Sequence, residues 1–257
     1  MGIDTFLSAE FLTVLSAVSL GCFVKGALGF GLPLVATPIM LFVLPLPEIV
    51  AVLALPITIA NIQQIWMNRH SWRILKIFWP LVTVSTLVML SFAHFIVELD
   101  GRIIALMIGL MMFVHSILSA FPLPIFKNSV IAPETLKRLI IPAGAISGIL
   151  GSLTSIYSFP SLQLFLMMHV KKNDLALLLG VFLSSGYIAL WLGIRNTGFA
   201  MGDGLALSVL MIIPAVIGQW AGDRARRRIS EKGFRHLVHF ALATAGITLM
   251  MRSLAGL

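Results

Sequence analysis

Apolar residues run along this chain in blocks broken by short polar or Gly/Pro-rich stretches. Reading the blocks between breaks predicts segments at about 8–28, 33–45, 48–67, 73–96 and 102–121 in the first half. The second half repeats the rhythm at 138–152, 158–169, 175–194, 204–221 and 236–254. A helix needs roughly 20 apolar residues to cross a bilayer core, and most of these blocks approach that length. The segments 33–45 and 158–169 are short for a full crossing. They are expected to cross as short pieces, to extend the helix before them, or to fold back as re-entrant half-helices.

The breaks themselves recur. Gly26, Gly29 and Pro38 reappear 122 residues later as Gly148, Gly151 and Pro160. After three extra residues the match resumes at an offset of 125, with Ala51 over Ala176 and Trp66 over Trp191. A duplicated, Gly-rich apolar unit is a transporter architecture, in which broken segments of two repeats frame a binding site near the bilayer midplane.

Charge placement chooses between the ways of counting. If both short segments reverse the chain's side, fourteen loop cations fall on one face and three on the other, with Lys25 inside the membrane. If they merge into the preceding helices, giving eight spans, the same charges divide eight against nine. Cytoplasmic loops are enriched in Lys and Arg, so the five-plus-five count is favoured. Five elements per half make the two halves inverted. The expectation is therefore an all-α integral membrane protein of two inverted repeats, each of about five helical elements. Broken or re-entrant short helices follow Gly31 and lie near Pro160. The repeats are 1–121 and 138–257, joined by a cytoplasmic linker at 122–137, with both termini external.

Composition enters mainly to exclude. Hydrophobic residues make up 59% and charged residues 11% of the 257, against roughly a quarter charged in a globular domain. The net charge of +8 sits in short loops, which speaks for membrane orientation and against a nucleic-acid partner. The lone Cys22 excludes an intrachain disulfide and a thiol-rich metal site. Asp4 and Glu10 stand where a signal peptide would be basic. The histidines show no metal-ligand spacing.

Candidate chemistry gathers at the breaks. The first reads Lys25-Gly26-Ala27-Leu28-Gly29-Phe30-Gly31-Leu32-Pro33. Its glycines allow a sharp turn and close approach to a ligand. Pro33 suits the first turn of a helix whose free N–H groups and positive dipole end would favour an anion. By count Lys25 lies mid-run with no acidic residue in the apolar segments to pair with it. A cation there costs about 3 kcal/mol, which makes a bound anion its counter-charge; the alternative is snorkelling to a surface. The second break offers Gly148, Gly151, Ser152, Ser155 and Tyr157, and Asn61, Gln64 and Gln163 are further polar candidates. For each glycine the competing role is close helix packing, and for each amide or hydroxyl an interhelical hydrogen bond. Trp66, Trp72 and Trp79 read as interfacial anchors.

On Lys25-Gly26, Gly29-Phe30-Gly31 and Pro38, matched by Gly148, Gly151 and Pro160, the chain resembles the sulfite exporter TauE/SafE family, also called the 4-toluene sulfonate uptake permease family. The resemblance covers essentially the whole chain. The second copy departs from the first, with Ser147 for the lysine and Ser152-Leu153 for Phe-Gly, so the halves are expected to contribute different groups. The resemblance implies transport of small sulfur-containing anions such as sulfite, sulfonates or sulfoacetate, without a cofactor. It implies a bacterial cytoplasmic (inner) membrane location, and leaves a coupling proton or ion and a homodimer open. In the expected mechanism access to a midplane site alternates, Lys25 supplies charge, and Phe30 receives the organic end of a sulfonate. The competing classes are an anion channel, a non-transporting assembly protein and an intramembrane enzyme; the last lacks a nucleophile–base motif.

Overall fold

A computed structural model describes residues 8–120, 133–168, 170–199, 204–226 and 231–255. Every regular element among them is helical. In the first half these are α1 (Ala9–Leu28), α2 (Leu32–Met40), α3 (Leu46–Met67), a 3-10 helix (Arg69–Ile74), α4 (Leu75–Phe92), α5 (Phe95–Glu98) and α6 (Gly101–Ala120). The second half contributes α7 (Pro133–Thr154), α8 (Ser161–Met167), α9 (Lys172–Asn196), α10 (Gly204–Leu210), α11 (Ile212–Arg226) and α12 (Glu231–Ala255). Among the described residues five helical stretches are long and apolar enough to cross a membrane, and a sixth results if α10 and α11, bent by 45° at their junction, count as one span. The chain is an all-α integral membrane protein. Most of the expected linker, including Pro122, Pro124 and Lys127, lies outside the described residues, as do His169, Arg227 and Arg228.

Neither short helix can cross a bilayer. The nine residues of α2 and seven of α8 rise about 14 and 10 Å, against a core of about 30 Å. Nor do they extend the helices before them, because the chain doubles back at each break. A methyl added at Gly21 of α1 would lie 2.9 Å from the Leu32 carbonyl oxygen and 3.2 Å from Ala36 Cβ. Ser147 of α7 and Ser161 at the start of α8 share a hydrogen bond of 2.7 Å between their hydroxyls. Both breaks are therefore helical hairpins, each with a short returning arm.

The helices cluster into two compact units that cut across the sequence halves. One contains the described residues within Met1–Ala60, Leu99–Ala120 and Met201–Leu257; the other contains those within Asn61–Glu98 and Phe121–Ala200. The boundary passes through α3 after Ala60. In the first unit α1, the opening helix of the first half, packs along α11 of the second, and α6 packs along α12. In the second unit α7, the opening helix of the second half, packs along α4 of the first. Each half thus lends its fourth apolar segment to the other's first.

Glycines set these crossings. Methyls added at Gly26, Gly218 and Gly222 would run into the backbone of the facing helix, at Gln219, Ser19 and Phe23 respectively. In the second unit methyls added at Gly144 and Gly148 would lie 2.7 and 2.8 Å from the carbonyl oxygens of Leu81 and Ser85. Without a water-driven hydrophobic force between helices, such close backbone approach is what holds a membrane crossing together. Large side chains such as Ile213 and Phe240, 69% and 70% exposed, face outward as lipid-contacting groups do.

Candidate functional site

The first break is built by glycine geometry. α1 stops because Gly29 adopts φ +87°, and its N–H donates to the Lys25 carbonyl at 2.7 Å. Gly31 follows at φ +108° and caps α2 with no side-chain hydrogen bond. Pro33 in the first turn has no N–H to satisfy. The N–H groups of Gly31, Leu32 and Leu34 are those that an α-helix leaves without internal acceptors, and they sit at the break. Nothing lies within 4 Å of a methyl added at Gly29. Phe30 is half-buried beside it.

Lys25 is 3% exposed. Its head is enclosed by protein, which removes snorkelling as the account of how it is accommodated. The expected mid-run position is corrected, because α1 ends at Leu28 and Lys25 occupies its last turn. The negative end of the helix dipole favours a cation there. Gly21, one turn earlier on the same face, meets Leu32 and Ala36, so Lys25 lies on the side of α1 along which α2 returns. Gly26 faces the other way, toward Gln219 and Asp223 of α11, with the Asp223 nitrogen 2.9 Å from an added methyl. Asp223 meets this face through its backbone; in the sequence it follows the last apolar residues of its segment and reads as a loop residue.

The second break is longer and differently made. Its six residues, 155–160, stand where the first break has three, 29–31; at the 122-residue offset they lie opposite 33–38, which are helical in α2. Gly151, the sequence counterpart of Gly29, does not end its helix. It stays within α7 and receives the Tyr157 side chain, whose Cβ would lie 2.5 Å from an added methyl. Ser155 takes the left-handed position instead, at φ +60°, a conformation that costs a non-glycine residue about 1 kcal/mol. The Phe159–Pro160 peptide bond is cis.

Tyr157 is 1% exposed and its hydroxyl donates to the Leu183 carbonyl of α9. Its ring is socketed between Gly151 and Gly186, where an added methyl would meet Cε2 at 2.6 Å. Edge-on ring contacts continue from Tyr157 to Phe182 at 5.5 Å, to Phe165 of α8 at 5.9 Å and on to Phe78 of α4 at 5.1 Å. This aromatic chain gives α8 its seat. Its members fall at unremarkable apolar positions, so no sequence signal marks them.

The remaining candidates divide by element. Ser152 is fully buried and donates to the Ile149 carbonyl at 2.8 Å. Gln64 is half-buried and its Nε2 donates to the Ala176 carbonyl of α9 at 2.8 Å. Asn61, one turn earlier on α3, is fully buried, and Gln163 is half-buried on α8. Lys25, Gly26, Gly29, Phe30 and Gly31 belong to the first unit. Asn61, Gln64, Gly148, Gly151, Ser152, Ser155, Tyr157 and Gln163 belong to the second. Gly26 and Gly148 hold equivalent jobs at the reciprocal crossings, whereas Gly29 and Gly151 do not.

The helices of membrane-crossing length among the described residues, with two hairpin breaks and an enclosed lysine beside one of them, mark an integral membrane protein. The model of the sulfite exporter TauE/SafE family matches residues 14–249, and the chain belongs to that family. Its members are membrane transporters, not enzymes. Neither the curated proteins nor the solved structures compared with the chain give a match.

Proposed function

We propose that the protein is a secondary transporter of small sulfur-containing anions, of the sulfite, sulfonate and sulfoacetate class, working by alternating access. The observation that carries this reading is a lysine, 3% exposed, on the face of α1 along which α2 returns. A buried cation and a set of helix-start N–H groups share one chemical preference, a compact oxyanion. Phe30 receives the organic end of a sulfonate. The duplicated sequence makes the second break a further source of binding groups, through Gly148, Gly151, Ser152, Ser155, Tyr157 and Gln163, and Asn61 and Gln64 are polar candidates of the same kind. In the observed conformation Ser152 and Tyr157 already donate to carbonyls, so their part is to shape that break until it rearranges.

The two halves are inverted relative to each other, in a bacterial inner membrane with both termini external, and a proton or ion coupled to the anion supplies the driving force. Two features favour this topology. The reciprocal exchange of first and fourth elements is the pairing that a two-fold relation between halves generates. Gln64 bonds Ala176, and one turn back along α3 the Asn61 carbonyl oxygen lies 3.5 Å from a methyl added at Gly180, one turn forward along α9. Residues 69–74 and the start of α9 therefore lie at one end of an antiparallel pair, whereas the eight-span count would separate them.

The test is uptake of labelled sulfite and a small aryl sulfonate into proteoliposomes, comparing the native protein with Lys25→Met. Saturable flux that falls at least tenfold in the variant is the expected result, as removal of one charge-assisted contact of about 1.5–3 kcal/mol requires. Flux linear in substrate would indicate a channel. Saturable flux unchanged by Lys25→Met would remove the lysine from the site.

A further inference from the structure

We propose that the elbow between α3 and α4 docks the headgroup of an anionic phospholipid. Its 3-10 helix, Arg69–Ile74, has no buried residue. Around it Trp66, Trp72 and Trp79 are 68%, 52% and 60% exposed, and Arg69, His70, Arg73 and Lys76 are exposed as well. The sequence holds no acidic residue between Glu48 and Glu98. The Arg69 guanidinium lies 4.8 Å from the Trp66 ring centroid and donates to the Trp66 carbonyl at 3.1 Å. The start of α9 packs against the elbow and brings the exposed Lys171 to the same end. Asp174, in the first turn of α9, is the acidic group there.

A loop that only orients the chain needs charge and nothing else. Here cations alternate with indole rings, and the two groups ask for different surroundings. Arg and Lys seek phosphate oxygens; Trp seeks the boundary between headgroup and acyl chain. A phospholipid of net negative charge offers both within one molecule, and inorganic phosphate offers only the first. The surface is thus a lipid contact and is independent of which anion the protein carries.

The experiment reconstitutes the full chain in mixed phosphatidylglycerol and phosphatidylcholine vesicles, with one or the other lipid brominated. Tryptophan quenching is compared for the native protein, Trp72→Phe and the double variant Arg73→Gln/Lys76→Gln. Brominated phosphatidylglycerol is expected to quench several-fold more strongly at equal mole fraction, and millimolar inorganic phosphate should not relieve it. The preference should fall about fivefold per neutralised charge and shrink when Trp72 is removed. Equal quenching by both lipids, or a preference unchanged in the double variant, overturns the proposal. Shielding of Trp72 from both lipids overturns it too, and assigns the face to a second copy of the chain. If the double variant fails to fold, native mass spectrometry of the unmodified protein, counting each lipid retained, separates the same outcomes.

Discussion

At the scale of single residues, two glycines three positions apart do opposite work. Gly26 has no room for a side chain, because the α11 backbone occupies the space. Gly29 has open space but a backbone angle of φ +87° that side chains avoid. Gly26→Ala should therefore force α1 from α11 and cost on the order of 1–3 kcal/mol. Gly29→Ala should cost about 1 kcal/mol of backbone strain and leave the crossing intact. Thermal unfolding in detergent separates the two. Tyr157→Phe keeps the ring in its socket and loses only the hydrogen bond to Leu183, so its midpoint should fall by the equivalent of about 1 kcal/mol. Lys25 and the glycines stand out in the sequence, since a charge in an apolar run and a doubled glycine pattern are visible without coordinates. The depth of Lys25 and the aim of Tyr157 were not visible. One depends on α2 returning along α1, the other on Gly186, which lies 29 residues along the chain from the tyrosine it accommodates.

Among the elements, α2 and α8 show how far hydropathy alone reaches. Apolar runs and punctuating residues marked both as short, and their choice among crossing, merging and folding back awaited Gly21 against Leu32 and Ser147 against Ser161. The second copy substitutes serine for lysine at the position that pairs with the returning arm, and that difference has a structural content. Ser147 Oγ also accepts from the Ser161 N–H at 3.3 Å, so it caps the start of α8. Ser147→Ala should destabilise the protein by about 1–2 kcal/mol. Phe165→Ala should cost about 3 kcal/mol or more, because the ring joins α8 to Phe78 and Phe182. Limited proteolysis within 155–168 would register both losses locally.

For the whole molecule, the order of elements along the chain was legible and their partnership was not. Periodicity and composition say which segments are apolar; they carry no record of which glycine face meets which helix. The end-to-end placement of the elbow and of the α9 start gives a direct test of topology. Cysteines introduced as Asn68→Cys and Lys171→Cys, in a Cys22→Ala background, should react with an impermeant thiol reagent from the cytoplasmic side alone. A tag at residues 223–233 should share that side, with the C-terminus on the other.

The exchange of first and fourth helices also bears on how such a chain is made and how it is divided. When α1 leaves the ribosome its main neighbour, α11, is still some 200 residues from synthesis. The amino-terminal half must therefore wait in the bilayer with a glycine-lined seam open to lipid. Two separately encoded fragments, cut within 121–132, should assemble when produced together, whereas either fragment alone should be cleared by proteolysis. By that logic the interior of this protein is a subunit interface that a single covalent link has made permanent.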